Sequence, residues 1–511
     1  MLHNISLEKF FNFIDNWFTK DRKRIFLITF IIGLIVHFEL ISKELLAYDG
    51  YWHYGSMLAK GWEISLGRFL IPFADIFRGS VVVSILTTTL SLIAIGFASI
   101  FLNETLKIRK TYLKIVISIL LVVTPTISLT FMYAYTSFGY SLAMLFAVLS
   151  VYFLNKTKHK KNIILALICI VATLGFYQAY LSYITALFAI TLIFKIIEDK
   201  KVIVKEFLIN ILIIVIGMIM YYICLIAITK ILNLTISDYS NGNAILSIET
   251  FKNLFSSIQN TYTTFYNFYF TDQIVNNISW FRNILYAVMF ILIMINFITI
   301  TINNKIYKVP SKIITLIIMI LAFPIFTCSI ELIAQSRSIN LLMASSLYLP
   351  IIILLKQNEL LKENFFTNIL NIISFIVSIV IIWTYILSNN ATYVATDLYN
   401  KQMYSVGNNI VEKLKENDEI KEGMPVIIKG KLNFSIHNDE LLKLTNFDVS
   451  DVNMWTWQIF LQDNLGIGWN ICDFSDDKGI TAEVEYEQMP VYPEEGSIKV
   501  INGIAVVKLS Y

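Results

Sequence analysis

Charged residues are scarce in this chain, so the stretch where they gather beside aromatic rings is where chemistry is most readily placed. Residues 44–78 hold Glu44, Asp49, His53, Lys60, Glu63, Arg68, Asp75 and Arg78 among Tyr48, Tyr51, Trp52, Tyr54, Trp62 and Phe69. A carboxylate can take the proton of a hydroxyl nucleophile, a guanidinium fork can hold a phosphate, and aromatic faces can pack against a sugar ring. Asp49 and His53 are four apart and would share one face of a helix. A second concentration, Glu331 and Arg337, interrupts the otherwise apolar ELIAQSRSINLLM. Each of these residues also has a plainer reading. Asp49 can cap a short interfacial helix, Arg68 can pair with Glu63 or Asp75, and Arg337 can pair with Glu331. His53 can make a local hydrogen bond, Lys60 can anchor at the interface, and Glu39 can be a core hydrogen-bonder. Trp and Tyr favour membrane interfaces whatever else they do. Charges so close to lipid are nevertheless costly and tend to be functional.

The elements that must position these residues are membrane helices. The chain is 56% apolar and only 15% charged, too few charges to cover the surface of a soluble protein of this length. Apolar runs long enough to span a hydrocarbon core of about 30 Å occur at 25–41, 80–102, 113–131, 138–154, 162–177, 181–197, 206–231, 283–302, 313–330, 340–355 and 366–388. They predict a mostly α polytopic bundle of eleven spans, with a tight turn at Tyr177-Gln178-Ala179-Tyr180. The first run follows the basic Lys20–Arg24 but lacks a small-residue cleavage site, so it reads as an uncleaved helix.

Loop charge sets the expected orientation. Lys and Arg crowd the N-terminal segment 1–24 and then alternate loops, as at Lys107, Arg109, Lys110 and Lys114, and again at Lys156, Lys158, Lys160 and Lys161. The intervening loops carry far fewer. This places the N-terminus in the cytoplasm of a bacterial cell. Two long loops, 42–79 and 232–282, then lie on the outer face of the cytoplasmic membrane, where loops of such length are usually functional. The same rule puts residues 389–511 outside as a small α/β domain. There 393–416 reads as an amphipathic helix, Pro425–Lys429 as a strand, and Ser497–Ile501 and Ile504–Leu509 as a hairpin closed by Asn502-Gly503. In the second loop, the aromatic run Thr261–Phe270 reads as an interfacial element. Residues 451–477 combine acids with Trp455, Trp457 and Trp469, which suits a domain core more readily than a carbohydrate surface.

Several classes are excluded or weakened. The net charge of +3 gives no ground for nucleic-acid binding. No phosphate-binding loop, dinucleotide fingerprint or H-E-x-x-H motif is present, and the short basic loops leave no room for a nucleotide-binding fold. None of the five histidines pairs with another at ligand spacing and the outer loops hold no D-x-D, so no metal ligands are assigned, though a divalent metal stays open. Cys169, Cys224, Cys328 and Cys472 are far apart and read as packing residues. A transporter or lipid-linked-sugar flippase would be expected to show duplicated halves and charges at mid-membrane. Here the charges cluster at one face.

Tyr48-Asp49-Gly50-Tyr51-Trp52, Leu66-Gly67-Arg68-Phe69 and Ala74-Asp75, with a weaker echo at Ser336-Arg337, resemble the GtrII-like glucosyltransferases, membrane enzymes of the GT-C superfamily. The resemblance implies a GT-C-like transmembrane catalytic domain over 25–388. It also implies an inverting transfer of a hexose, expected to be glucose, from undecaprenyl phosphate to a cell-surface glycan such as O-antigen. No cofactor is required beyond the lipid-phosphate sugar itself. Asp49 is the expected base, and Arg68 and Arg337 the expected phosphate contacts. His53, Trp52, Asp75 and Glu63 are the further substrate-binding candidates. Many family members have two adjacent acids where this chain has Asp49-Gly50, so a second carboxylate would have to come from Glu44, Glu63 or Asp75. The implied partners are the bilayer, the lipid-linked donor, the glycan acceptor, a polyprenyl-phosphate glucosyltransferase and a flippase. A surface-polysaccharide polymerase is the nearest alternative.

Overall fold

The computed structural model describes residues 7–47, 50–51, 61–79, 82–156, 159–198, 204–237, 252–276, 280–334, 339–421, 423–430, 438–449, 457, 460–461, 465, 470–472 and 479–510. Most of them are helical. Among the described residues six helices are long and apolar enough to cross a membrane: Ser84–Thr105, Ala134–Leu154, Gln178–Glu198, Lys205–Ile231, Trp280–Asn303 and Phe365–Glu416. A seventh span is the pair Thr111–Val123 and Pro125–Met132, bent by 44°.

The eleven uninterrupted spans expected from hydropathy are therefore not what the described residues show. Run 25–41 becomes Lys20–Val36, broken at His37 and continued as Phe38–Lys43. Run 162–177 is the 17-residue helix Lys160–Phe176. Run 313–330 divides into Pro310–Leu321 and Phe323–Thr327, and run 340–355 into a 3-10 helix Leu341–Tyr348 followed by Leu349–Gln357. Prolines 125, 324 and 350 each stand in the first turn of the element after a break, where the missing N–H does least harm. Hydropathy records what lipid tolerates and is blind to where the backbone ladder stops. The turn at Tyr177 is present as the short 3-10 helix Gln178–Tyr180.

A broken helix in an apolar bundle must find other partners for its terminal carbonyls. The bend at Thr124-Pro125 shows how this is done. Thr124 precedes proline and is extended (φ −62°, ψ 144°), as such residues prefer. The carbonyl of Val122 accepts from His37 Nε2 at 2.7 Å, and that of Val123 from Asn389 Nδ2 at 2.9 Å. The other His37 nitrogen meets Tyr393 Oη. Asn389 Oδ1 accepts from Asn446 Nδ2 at 2.8 Å, while the Asn446 N–H donates to Thr392 Oγ1 at 2.8 Å and its carbonyl accepts from Asn276 N at 3.0 Å. One bend thus joins the first helix, the bundle, the C-terminal segment and the end of the second long loop.

Residues 366–388 and 393–416, expected as separate elements, form one 52-residue helix, Phe365–Glu416. Asn364 and Thr367 start it with a reciprocal capping box, both bonds 2.9 Å. At 1.5 Å per residue it is about 80 Å long, more than twice the hydrocarbon thickness, and its C-terminal half continues past Asn389 with Tyr393, Tyr399, Met403 and Ile410 buried. There Asp397 is held to Lys43 at 2.8 Å and to Lys401 at 3.0 Å.

Beyond the helix, four strands form a sheet in the order β2-β1-β4-β3: β1 Pro425–Lys429, β2 Asn470–Ile471, β3 Ile498–Ile501 and β4 Ile504–Lys508. β1 runs parallel to both neighbours, and β3 and β4 form the expected antiparallel hairpin. Its turn residues Asn502 and Gly503 both have positive φ, 50° and 76°, as a type I′ turn requires.

Asn389→Leu should leave the Val123 carbonyl and the Asn446 amide without their partner inside the packed region. The expected loss is about 1–3 kcal/mol for each group, read as a lowered unfolding temperature of the purified protein in detergent. Asn364→Ala, at the far end of the same helix, should lower it by about 1 kcal/mol.

Candidate functional site

The described part of the first long loop folds around Arg68. Glu63 lies on the short helix Gly61–Ser65 and Asp75 on Ile71–Arg78. Between them Gly67 adopts φ 89°, a left-handed turn open to glycine, and brings Arg68 back beneath Glu63. The loop backbone is tied to the bundle at each step. The Leu66 carbonyl accepts from Gln178 Nε2 at 2.7 Å and that of Gly67 from Tyr221 Oη at 3.0 Å, while Leu70 N donates to the Gly175 carbonyl at 2.9 Å.

The Arg68 guanidinium is held in this frame by an ion pair and two rings. Its Nη1 donates to Glu63 Oε2 at 3.0 Å. Its central carbon lies 5.7 Å from the Tyr140 ring centre and 5.2 Å from that of Tyr177, and the two rings stack at 4.0 Å. Cation–π contacts of this kind offset part of the desolvation of the charge. Arg68 Nε is buried with no hydrogen-bond partner among the described residues. One carboxylate does not use the full donor fork of an arginine, so the group can take a second anion.

Asp75 is occupied differently. It pairs with Arg78, Nε to Oδ1 at 2.9 Å, and both side chains are 2% exposed. Of the pairings open to Arg68, the structure forms the one with Glu63. Asp49, Trp52, His53 and Arg337 lie outside the described residues, as does Lys60.

The described neighbours of Asp49 are closely bound. Gly50 N donates to the Ala47 carbonyl at 2.7 Å, and Ala47 N to that of Met132 at 3.4 Å. A Cβ on Gly50 would stand 2.5 Å from the Met132 carbonyl oxygen. Hence this backbone has no room for a second acid directly after Asp49. Tyr51 is buried, and its hydroxyl donates to Asn400 Oδ1 on the long helix. Burial pushes the Tyr51 phenol up, so it remains a donor. Glu44 is an exposed left-handed cap at the end of Phe38–Lys43, and Glu39 pairs with Lys43.

Two further acids have surroundings that the sequence did not show: Glu331, read there only as a partner for Arg337, and Asp448, which was not singled out. Glu331 is 4% exposed; its Oε1 accepts from Thr264 Oγ1 at 2.7 Å and Ile339 N at 3.3 Å, and its Oε2 has no partner among the described residues. Burial raises its carboxyl, against the opposing effect of those two bonds. Thr264 belongs to the aromatic run of the second loop, which forms the helix Leu254–Phe270 with Tyr269 buried and Tyr262 and Tyr266 exposed. Asp448, from the C-terminal segment, lines a crevice against Ala47 and Tyr51. Neither acid carries a motif, and only the packing shows what surrounds each of them. Among the described residues no group of three or more His, Cys, Asp or Glu side chains could hold a metal ion.

A helical membrane protein with a ring-bounded arginine at one end of its bundle has the means to hold an anionic group beside lipid. The model of the family described as glucosyl transferase GtrII matches residues 40–354, well over half of the chain. The chain belongs to that family and is a membrane glycosyltransferase. No curated protein and no solved structure matches it.

Arg68→Lys keeps the charge but loses the fork. Glucosyl transfer should fall by about 10- to 100-fold, corresponding to about 1.5–3 kcal/mol for a hydrogen bond to a charged group, while yield and unfolding temperature stay near wild type. Transfer at the wild-type rate would leave Arg68 as the partner of Glu63 and nothing more.

Proposed function

We propose that the protein moves glucose from a polyprenyl phosphate, undecaprenyl phosphate in a bacterial membrane, to a hydroxyl of a cell-surface glycan. The reaction takes place on the outer face of the cytoplasmic membrane, with the N-terminus in the cytoplasm and the C-terminal domain outside. The observation that carries this reading is Arg68, half-buried beside two stacked tyrosines with its Nε enclosed and only part of its donor set in use. A lipid phosphate gains charge as the glycosidic bond breaks, and a desolvated arginine stabilises that charge more strongly than a solvated one.

Asp49 is the base. It takes the proton of the acceptor hydroxyl as that oxygen attacks the anomeric carbon and the lipid phosphate departs from the opposite side, which inverts the anomeric centre. Arg337 adds a second phosphate contact, and Trp52 and His53 contact the sugar. No cofactor takes part. A polyprenyl-phosphate glucosyltransferase charges the lipid and a flippase delivers it to the outer leaflet.

The test compares surface-glycan composition in a deletion strain complemented with wild type or with Asp49→Asn. Wild type should restore the missing glucose, and Asp49→Asn, present at normal levels, should restore less than about 1% of it, the effect of removing a general base. Full restoration by Asp49→Asn would exclude the base, and a deletion that removes no sugar from any surface polymer would exclude the transferase reading.

A further inference from the structure

Arg22, Arg68 and Arg78 each hold a carboxylate. Arg282 is different. It is 6% exposed, and among the described residues no acid forms an ion pair with it. Asp272, ten positions earlier, is exposed and stays apart from it. The Arg282 Nη2 donates to the Thr271 carbonyl at 3.2 Å, and the central carbon lies 6.0 Å from the Tyr286 ring centre. Its Nε is enclosed with no hydrogen-bond partner among the described residues. A guanidinium has five N–H donors, so most of this fork is unused. An enclosed cation without a counter-charge is costly and favours an anion from outside the chain.

The place of Arg282 in the fold limits which anion can reach it. It is the third residue of Trp280–Asn303, one of the helices able to span the membrane, and so stands at the depth of lipid headgroups. Its neighbours Trp280 and Phe281 are exposed, and Ile284, Ile291 and Ile298 continue an exposed apolar stripe along the helix at intervals of seven. Aromatic residues at the end of a lipid-facing stripe mark the membrane interface. An anion presented there with hydrocarbon attached is a lipid phosphate.

Arg282 also has a plainer role, as a cation on the last turn of the aromatic helix Leu254–Phe270, whose C-cap is Thr271. That role uses one donor and supplies only a partial negative charge. The first turn of its own helix is already the positive end of a backbone dipole, which deepens the deficit.

We propose that Arg282 is the centre of a lipid-phosphate site separate from Arg68, with the phosphate on the unused side of the guanidinium and the hydrocarbon chain along the Ile284–Ile298 stripe. The partners of Arg282, Thr271 and Tyr286, take no part in the Arg68 frame. The site does not depend on the transfer reaction. An anionic phospholipid and a polyprenyl phosphate present the same group to it. In either case the lipid ties the end of the second long loop to the membrane surface.

The test uses the purified full-length protein in detergent, titrated separately with phosphatidylglycerol and with undecaprenyl phosphate, the retained lipids being counted by native mass spectrometry. Wild type should retain one lipid more than Arg282→Gln. The dissociation constant for that lipid should rise about 10- to 100-fold in the variant, the range for a hydrogen bond to a charged group. Arg282→Lys, which keeps the charge without the fork, should recover part of the loss. A loss confined to phosphatidylglycerol makes the ligand a membrane phospholipid, and one confined to undecaprenyl phosphate makes it the prenyl carrier. Either supports the site, as does loss of both. If Arg282→Gln retains both lipids with constants within about twofold of wild type, Arg282 is only a cap on the aromatic helix and the proposal is overturned. Should Arg282→Gln not fold, Arg282→Lys decides alone, because lysine serves as a cap but grips phosphate less tightly; an unchanged constant then overturns the site. Full glycan restoration by Asp49→Asn would leave this result untouched, so the two readings fail separately.

Discussion

The interaction on which the structure most depends is the capping of two carbonyls left over at the Thr124-Pro125 bend. In water such groups would simply be hydrated. In an apolar bundle each would cost several kcal/mol if left bare. His37 and Asn389 reach them from elements far away in sequence, so satisfying the bend determines where the first helix breaks and how the long helix lies against the bundle. The same asparagine carries the C-terminal segment through Asn446. A local defect in one helix has become the joint that aligns the loop-bearing end of the molecule.

That joint matters because the candidate chemistry is assembled from pieces with little rigidity of their own. The first loop contributes helices of five and eight residues, too short to be stable alone. They are held by backbone bonds to Gln178, Tyr221 and Gly175 and by the ion pair of Arg68 with Glu63. Placing an arginine beside two stacked tyrosine rings keeps it partly desolvated yet compensated, the condition under which its remaining donors bind an anion strongly. The second ion pair, Asp75 with Arg78, is almost wholly enclosed and serves the loop's own packing.

Much of this was legible in the residues. The membrane class followed from composition, and the family from the acidic, basic and aromatic residues packed into the first loop. The hairpin at Asn502-Gly503 and the turn at Tyr177 followed from local backbone preferences, which act over a few residues and need no tertiary context. The number of unbroken spans was not legible in this way. Pro125, Pro324 and Pro350 were visible as residues, but a proline ends a helix only where distant groups can cap the carbonyls it frees. Nor could the sequence show that residues 366–416 form one helix, because a change of polarity near Asn389 does not by itself end the backbone ladder.

The division follows from the range of the forces involved. Solvent preference and short-range backbone sterics are properties of the chain itself, and they determined that this protein lives in a membrane, which loop carries its charge, and that a glycosyltransferase motif sits there. Pairing is a property of three-dimensional proximity. Only the tertiary structure decided that Arg68 faces Glu63 and two tyrosines, that Gly50 lies too close to the Met132 carbonyl for a second acid, and that Asp448, some 400 residues further along the chain, comes to rest beside the same loop.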